Sequence, residues 1–250
     1  MSICYYLYKN RLDDEDNLYD EFIDEQNLNL GLEDEYFSAF KNKIKSHKEN
    51  KGHGLLISFH KDNEEKRIEK LIKAMKLGLR VVLVSDAGTP TISDPGTKLF
   101  LIGFFKFNNL GYKLVKEAVK NGISIEPLPG PVAGITALTA SGMPTDKFVF
   151  YGFLTKIAGP KREKLEEIKK QATTAVIYEG IHRLESTVEL IGSIFGNNHE
   201  LYIGIELTKK FEKHLHGKVS TILEKLNEFH KGGKEVLKGE ATIVIGIINS

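Results

Sequence analysis

The sequence predicts an α/β fold with two sheets, a mainly parallel N-terminal sheet and a mixed C-terminal sheet. Strand-like and helix-like patterns alternate between residues 55 and 141, which is typical of parallel sheets. Beyond Asp146, apolar strand patterns follow one another at the C-terminus, which favours antiparallel pairs. With 250 residues, 41% of them hydrophobic, the chain can form one large domain or two modest ones.

Each element of the N-terminal half has a local signal. Apolar runs at residues 55–59 and 81–84 indicate buried strands. Between them, Asp62 and Glu65 form a capping box, and apolar residues recur at helical spacing until Gly78. The further elements expected here are a helix ending at Gly122, a strand at 123–126 and a helix from Val132 to about Ser141.

The C-terminal half is expected to contain four strands separated by three helices. The strands are expected at 148–153, 174–178, 201–207 and 242–248, and the helices at 161–171, 183–195 and 221–229. Gly142 to Asp146 breaks the pattern and marks a domain junction. We therefore expect a divergent, partly disordered leader at 1–50, an N-terminal α/β domain at 51–144 that is incomplete relative to its family, and a C-terminal α/β domain at 145–250.

Composition excludes several classes of protein. Charged residues make up 28% of the chain and no apolar run reaches a membrane span, so we expect neither a disordered nor a membrane protein. The net charge of +1 gives no global attraction to nucleic acid, so RNA contacts require local basic clusters. The single cysteine excludes an internal disulfide. No targeting peptide is evident, so we expect a cytoplasmic protein, with an organelle as the open alternative.

The loop at 85–96 is the strongest functional signal. It follows an apolar strand pattern and contains two acidic turn units, at Asp86 and Asp94, among Gly, Pro, Ser and Thr. Open α/β sheets bind ligands at the carboxyl ends of their strands. Backbone N–H groups and two carboxylates suit a polar, partly cationic cofactor close to the main chain. The alternative is that each Asp only caps its own turn.

A second loop, Pro129-Gly130-Pro131, leads into a helix whose first N–H groups can meet a carboxylate. The alternative is a rigid connection between a strand and a helix.

From residue 57 onward the chain resembles the ribosomal RNA small-subunit 2′-O-ribose methyltransferases of the tetrapyrrole-methylase superfamily. The motifs in matching order include loop 85–96, Pro127-Leu128-Pro129-Gly130-Pro131, Tyr178-Glu179 with His182-Arg183, Glu206-Leu207-Thr208-Lys209 and Lys238-Gly239-Glu240. The resemblance implies a two-domain tetrapyrrole-methylase-like fold and a class III methyltransferase that uses S-adenosylmethionine without a metal. It also implies a cytidine 2′-hydroxyl of small-subunit ribosomal RNA as methyl acceptor, and a homodimer.

The resemblance also indicates which residues contact the cofactor. The expected S-adenosylmethionine-binding residues are Ser85, Asp86, Ala87, Gly88, Thr89, Ile92, Ser93, Asp94, Pro131, Val132, Ala133 and Tyr178.

Methyl transfer to a ribose hydroxyl is an in-line displacement that needs positioning and an acceptor for the hydroxyl proton. The candidate catalytic residues are Glu179, His182, Glu206, Lys209 and Glu240. A helix cap at His182 and a local salt bridge between Glu206 and Lys209 are the competing interpretations. The sequence selects none of the five as the base.

Basic side chains in the C-terminal half are candidates for phosphate contacts. They are Lys156, Lys161, Arg162, Lys169, Lys170, Arg183, Lys209 and Lys210. A solvated helix face is the equally good interpretation of those between 161 and 170.

Two other functions stay open. The Thr-Pro-Ile-Gly-Asn-Leu turn and the Glu-Asp-Thr-Arg motif of the family are missing, and an apolar segment at 97–110 follows the cofactor loop. A catalytically degenerate member, acting as a binding or structural protein, would tolerate these differences. A class III methyltransferase with a tetrapyrrole acceptor would keep the fold and the cofactor, although the motifs at 85–96 and 178–183 favour RNA.

Overall fold

The computed structural model describes residues 3–7, 56–59, 63–84, 88–92, 111–231 and 237–247. Its contacts divide the chain into two compact units, Met1–Pro129 and Gly130–Ser250. No helix in the described ranges is both long and apolar enough to cross a bilayer.

The first unit contains a small sheet covered by two helices. Its elements are β1 (Ile3–Leu7), β2 (Leu56–Phe59), α1 (Glu64–Lys76), β3 (Val81–Val84) and α2 (Tyr112–Lys120). The sheet has the order β2-β1-β3. Its core joins Phe59 of β2 to Leu71 and Ile72 of α1 and to Leu114 and Ala118 of α2. Val81 and Leu83 of β3 pack against the same cluster, so the two helices pack against each other and against both β2 and β3.

The first unit differs from expectation in three places. The leader expected at 1–50 contains a strand, β1, which pairs with both β2 and β3; the rest of that leader lies outside the described residues. Because β1 runs antiparallel to both neighbours, the described pairing is antiparallel where mainly parallel pairing was expected. The strand expected at 123–126 is irregular: Ile123 packs on the core but Ile125 is 44% exposed, so no buried face holds a strand there.

The second unit is a five-stranded mixed sheet between helices. Its elements are α3 (Ala133–Ala140), β4 (Phe148–Phe153), α4 (Ala158–Gln171), β5 (Thr174–Gly180), α5 (Ile181–Phe195), β6 (Glu200–Ile205), β7 (Lys213–Lys218), α6 (Val219–Lys231) and β8 (Glu240–Ile245). The order is β4-β5-β8-β6-β7, with β4 and β5 parallel and every other pair antiparallel. The mixed C-terminal sheet predicted from the sequence is confirmed.

Alternation along the central strands gives this sheet two apolar faces. Ile177, Ile203 and Ile243 lie side by side in register and are fully buried with residues of α4, α5 and α6. On the opposite face, Val176 and Tyr202 form a second cluster with residues of α3. Since successive side chains of a strand point to opposite faces, the continuous apolar runs follow from burial on both sides.

The position of α3 explains where the units divide. This helix packs on β5, β6 and β8 of the second sheet, so the division falls before it, at Pro129. The domains expected at 51–144 and 145–250 differ from the two units by this helix.

One strand of the second unit was missed. β7 is an edge strand with the sequence Lys-His-Leu-His-Gly-Lys, and Leu215 is its buried residue. Polar and charged residues are common on edge strands because they discourage further pairing, so its sequence does not show the apolar signal of an inner strand.

Replacement of Ile191 by Ala tests the interface between α5 and the sheet. Ile191 is fully buried in the larger core cluster, so the variant should lose about 2–5 kcal/mol of unfolding free energy. The matched control is Ile135→Ala on α3. Ile135 is 46% exposed, so this variant should lose only about 0.5 kcal/mol of unfolding free energy. Urea denaturation measures both, and equal losses would contradict this assignment of the core.

Candidate active site

One edge of the second sheet brings the family motifs together. β4, β5 and β6 run in the same direction, because β5 is parallel to β4 and both β5 and β6 are antiparallel to β8. Their carboxyl ends therefore share an edge with the start of β8. Glu179, Glu206 and Glu240 lie at this edge, each at or next to the end of its strand. Three motifs that are far apart in sequence thus meet at one end of the sheet.

Glu179 is buried, and both of its carboxylate oxygens accept hydrogen bonds. Its Oε2 accepts from Nζ of Lys161 at 2.8 Å and from the hydroxyl of Thr187 at 2.8 Å. Its Oε1 accepts from the N–H of Gly180 at 2.9 Å and from Nε of Arg183 at 2.8 Å, and Nη2 of Arg183 binds the same oxygen. The Glu179 side chain is 1% exposed. The carboxylate therefore ties β5 to α4 and to α5.

The partners of Glu179 decide its ionisation. Burial alone would raise the pKa of this carboxyl, but hydrogen bonds from Lys161, Arg183 and Thr187 outweigh it and hold the pKa below its ordinary value. Glu179 is thus a carboxylate at neutral pH. Because donors already surround both oxygens, the described geometry leaves no room for a substrate hydroxyl beside it.

The turn after β6 is locked to the start of β8. Glu206 donates its N–H to the carbonyl of Glu240 at 3.0 Å and accepts the N–H of Glu240 on Oε1 at 3.1 Å. Lys209 binds the same Oε1 at 2.9 Å. Glu206 has φ +50° and Thr208 φ +65°, both left-handed conformations that L residues rarely adopt. Such strain persists only where surrounding contacts hold it, and it often marks functional turns.

Gly239 is required for this contact. Its φ is +90°, and a Cβ atom there would lie 1.9 Å from Oε1 of Glu206. The motifs Glu206-Leu207-Thr208-Lys209 and Lys238-Gly239-Glu240 are therefore one structural unit. The local salt bridge expected between Glu206 and Lys209 is present, and it leaves Lys209 49% exposed.

The first turn of α3 lies against Tyr178 on the opposite face of the sheet from Glu179. The hydroxyl of Tyr178 accepts the N–H of Gly134 at 2.9 Å. A Cβ atom on Gly134 would lie 3.1 Å from Phe150 and 3.4 Å from the Tyr178 hydroxyl, so glycine permits this approach. Ala133, the first residue of the helix, is exposed, and its N–H has no hydrogen-bond partner among the described residues. This turn can offer an N–H group to an acceptor.

Tyr178 keeps its proton. Burial raises the pKa of Tyr178 and outweighs the lowering by the N–H of Gly134, and the charge of Glu240 adds a smaller increase. The phenol is neutral at neutral pH and accepts from Gly134, so its own O–H can still donate. The predicted cofactor residues Pro131, Val132, Ala133 and Tyr178 thus lie together in the second unit.

The predicted cofactor loop of the first unit is described only in part. Ser85, Asp86, Ala87, Ser93 and Asp94 lie outside the described residues. Gly88 has φ +75° and Thr91 φ +71°, and the N–H of Ile92 reaches the carbonyl of Thr89 at 3.5 Å. The described part is therefore a tight turn, in which Ile92 is 42% exposed.

The basic candidates separate into buried and exposed groups. Lys161 is 7% exposed and bound to Glu179, so it forms neither a solvated face nor a phosphate contact. Lys169 donates to the carbonyl of Ile194 at 2.5 Å. Lys156, Arg162, Lys170 and Lys210 are exposed, as is the base candidate His182. No group of three or more His, Cys, Asp or Glu residues is placed to hold a metal within the described ranges.

Comparison with known families defines the class. The family described as tetrapyrrole (corrin/porphyrin) methylases matches residues 20–223. The chain therefore belongs to the tetrapyrrole methylase family, and the predicted α/β fold of that family is confirmed.

More particularly, the chain is similar to proteins named ribosomal RNA small subunit methyltransferase I. It is 38% identical to the one from Halalkalibacterium halodurans and 37% identical to the one from Bacillus subtilis, over 190 residues in each case. Each alignment covers 76% of this chain and 58% of the relative, so the chain spans less than two thirds of their length. The Thermotoga maritima protein is 38% identical over 190 residues, with 76% of this chain and 75% of the relative covered.

Replacement of Glu179 by Gln tests the electrostatic role of the carboxylate. The pKa of Glu179 is lower in the folded than in the unfolded chain, so its contribution to stability is complete above the unfolded pKa. It is lost as pH falls through the folded pKa. At neutral pH the variant should be less stable by about 3–5 kcal/mol, since Lys161 loses its counter-charge.

The difference between wild type and Glu179→Gln should narrow as pH falls below 4.5, the ordinary pKa of a glutamate. Urea unfolding across pH measures it. The exposed Glu189 on α5 supplies the control, because Glu189→Gln should shift stability by no more than about 0.5 kcal/mol at any pH. A difference that is constant with pH would contradict the assignment.

Proposed function

We propose that this chain is an S-adenosylmethionine-dependent methyltransferase whose acceptor is the 2′-hydroxyl of a cytidine in small-subunit ribosomal RNA. The similarity of 37–38% over 190 residues to proteins named ribosomal RNA small subunit methyltransferase I carries the proposal. The resemblance of loop 85–96 and of the motif at 178–183 also favours an RNA acceptor over a tetrapyrrole.

The described part of the site fits this cofactor. S-adenosylmethionine has a carboxylate, which an unpaired helix N–H group binds well, and an amino group and ribose hydroxyls, which need acceptors. Ala133 offers such an N–H, and the neutral Tyr178 offers an O–H. Half-buried Val132 supplies an apolar contact beside them. We propose that these residues contact the cofactor. The family resemblance alone supports the proposal that Asp86 and Asp94, which lie outside the described residues, supply acceptors to it.

Methyl transfer then depends on positioning and on one proton acceptor. When bound, S-adenosylmethionine supplies a methyl group activated by its sulfonium. The chain has to align the ribose hydroxyl, exclude water and accept the hydroxyl proton. Of the three carboxylate candidates, we propose Glu206 and Glu240 for that role, with Lys209 as the cation paired with Glu206, because Glu179 already accepts hydrogen bonds on both oxygens.

We further propose a homodimer that works in the cytoplasm. The likeness to the family supports both statements.

Label transfer tests the proposed reaction. With S-adenosylmethionine labelled in the methyl group, the chain should label small-subunit ribosomal RNA that lacks the modification. The label should survive in a dinucleotide after alkaline hydrolysis, because a methylated 2′-oxygen cannot attack the adjacent phosphodiester. A tetrapyrrole acceptor offered in parallel should remain unlabelled. Label in the tetrapyrrole and none in the RNA would contradict the proposal.

The substitution Ala133→Pro tests the proposed cofactor contact. Proline is tolerated at the first position of a helix, and Val132 already has φ −130° and ψ 111°, an extended conformation suitable before proline. The change removes the N–H and leaves the helix in place. It should weaken binding of S-adenosylhomocysteine, measured by calorimetry, by roughly tenfold or more. Ala133→Ser retains the N–H and is the control; equal affinities for both variants would exclude this contact.

A further inference from the structure

Arg183 is held from one side by the buried carboxylate. Its Nε donates to Oε1 of Glu179 at 2.8 Å, and Nη2 binds the same oxygen. The Arg183 side chain is 29% exposed, whereas that of Glu179 is 1% exposed. The guanidinium therefore extends from the interior to solvent in a fixed orientation. Within the described residues, its remaining Nη1 has no hydrogen-bond acceptor.

The charges around Glu179 do not cancel. Lys161 is buried and already neutralises the carboxylate through Oε2 at 2.8 Å. Arg183 adds a second positive charge, so these three side chains together carry one net positive charge. A buried ion network adds little stability over apolar packing of the same volume, so stability alone does not account for the second cation. Its location at the surface fits an anionic ligand.

We propose that Arg183 binds a phosphate of the substrate RNA, and that Glu179 is the positioning residue that presents its guanidinium. This inference rests on the proposed function and deepens it. A planar guanidinium with two oriented N–H groups matches phosphate oxygens well, and phosphate contacts fix the register of a protein on RNA. Lys161 and Thr187 keep the carboxylate in place, so Arg183 is oriented before RNA arrives.

The face of the sheet favours RNA over the cofactor. Tyr178 points to the face that carries α3, where the N–H of Gly134 contacts its hydroxyl. Glu179, the next residue, points to the face that carries α4 and α5, where Arg183 contacts it. The sheet thus separates Arg183 from the proposed cofactor residues of α3. A ligand of Arg183 therefore lies toward the face that carries α4 and α5, whereas a ligand of α3 lies toward the opposite face.

Binding of small-subunit ribosomal RNA over a salt series tests the role of Arg183. The change Arg183→Ala should raise the dissociation constant roughly tenfold through loss of a charge-assisted contact. It should also lower the slope of log affinity against log salt by about 0.7, the value for one contact to single-stranded nucleic acid. Affinity for S-adenosylhomocysteine should be unchanged. Arg80→Ala, at an exposed position next to the amino end of β3, removes the same charge and should leave the slope unchanged.

The positioning role of Glu179 is tested in a double-mutant cycle. Glu179→Gln should weaken RNA binding severalfold in the wild-type background and have no effect in the Arg183→Ala background, because it acts through Arg183. A purely structural role would give the same loss in both backgrounds and would overturn the positioning role. Thermal unfolding of each variant verifies the fold. If Arg183→Ala unfolds, Arg183→Lys is measured instead. This variant keeps the positive charge but loses the planar pair of N–H donors, so it should still weaken RNA binding.

Two results would overturn the inference. One is an unchanged dissociation constant and salt slope in Arg183→Ala; the other is a loss of S-adenosylhomocysteine affinity, which would assign Arg183 to the cofactor. These binding measurements do not depend on methyl transfer. A chain that binds RNA through Arg183 but transfers no methyl group would contradict the proposed function and leave this inference intact.

Discussion

The ion pair between Glu179 and Lys161 is the contact on which the candidate active site of the second unit depends. This site lies at the carboxyl ends of β4, β5 and β6. It joins the carboxyl end of β5 to the first turn of α4, and Arg183 and Thr187 extend it to α5. Burial of an unpaired carboxylate is costly, so this end of β5 and the two helices can adopt only an arrangement that satisfies it. The arrangement in turn sets the direction in which the motif at 178–183 faces solvent.

Two close backbone approaches complete the same edge. Gly239 lets Oε1 of Glu206 reach the start of β8, and Gly134 lets the first turn of α3 lie against Tyr178. A Cβ atom at Gly239 would overlap Glu206, and one at Gly134 would crowd Phe150. The motifs of this family are therefore explained to a large extent by contacts with one another. Lys209 and the N–H of Ala133 remain exposed beside these motifs, so a ligand can bind to them.

The sequence predicts elements well where burial is strong, and less well where it is weak. The strand at Phe148–Phe153 was predicted in full, because its apolar run has no competing helical period. β7 was missed because an edge strand needs one buried side chain, Leu215, and no apolar run. The apolar residues at 123–126 predicted a strand that is absent, since Ile125 stays 44% exposed and does not extend a buried face from Ile123.

The candidate site, like the fold, could be predicted from the sequence only in part. The motif at 178–183 made Glu179 one of five candidates, but sequence spacing could not show that Lys161, 18 positions earlier in the chain, lies beside it. A lysine on a charged helix normally lies in water, so only the packing of α4 on β5 shows that this one is buried. The base candidates remained equivalent in the sequence for the same reason: the hydrogen bonds that both oxygens of Glu179 accept come from side chains that sequence spacing does not place beside it.

The ionisation of Glu179 tests this account most directly. In carbon-13-labelled protein, the side-chain carboxyl resonance of Glu179, assigned by its absence from Glu179→Gln, can be followed during acid titration. The account predicts that the midpoint of this titration lies below 4.5, because three side chains donate to the carboxylate. Titration at or above that pH would show that Lys161 and Arg183 do not hold the carboxylate, and would contradict the arrangement from which the rest follows.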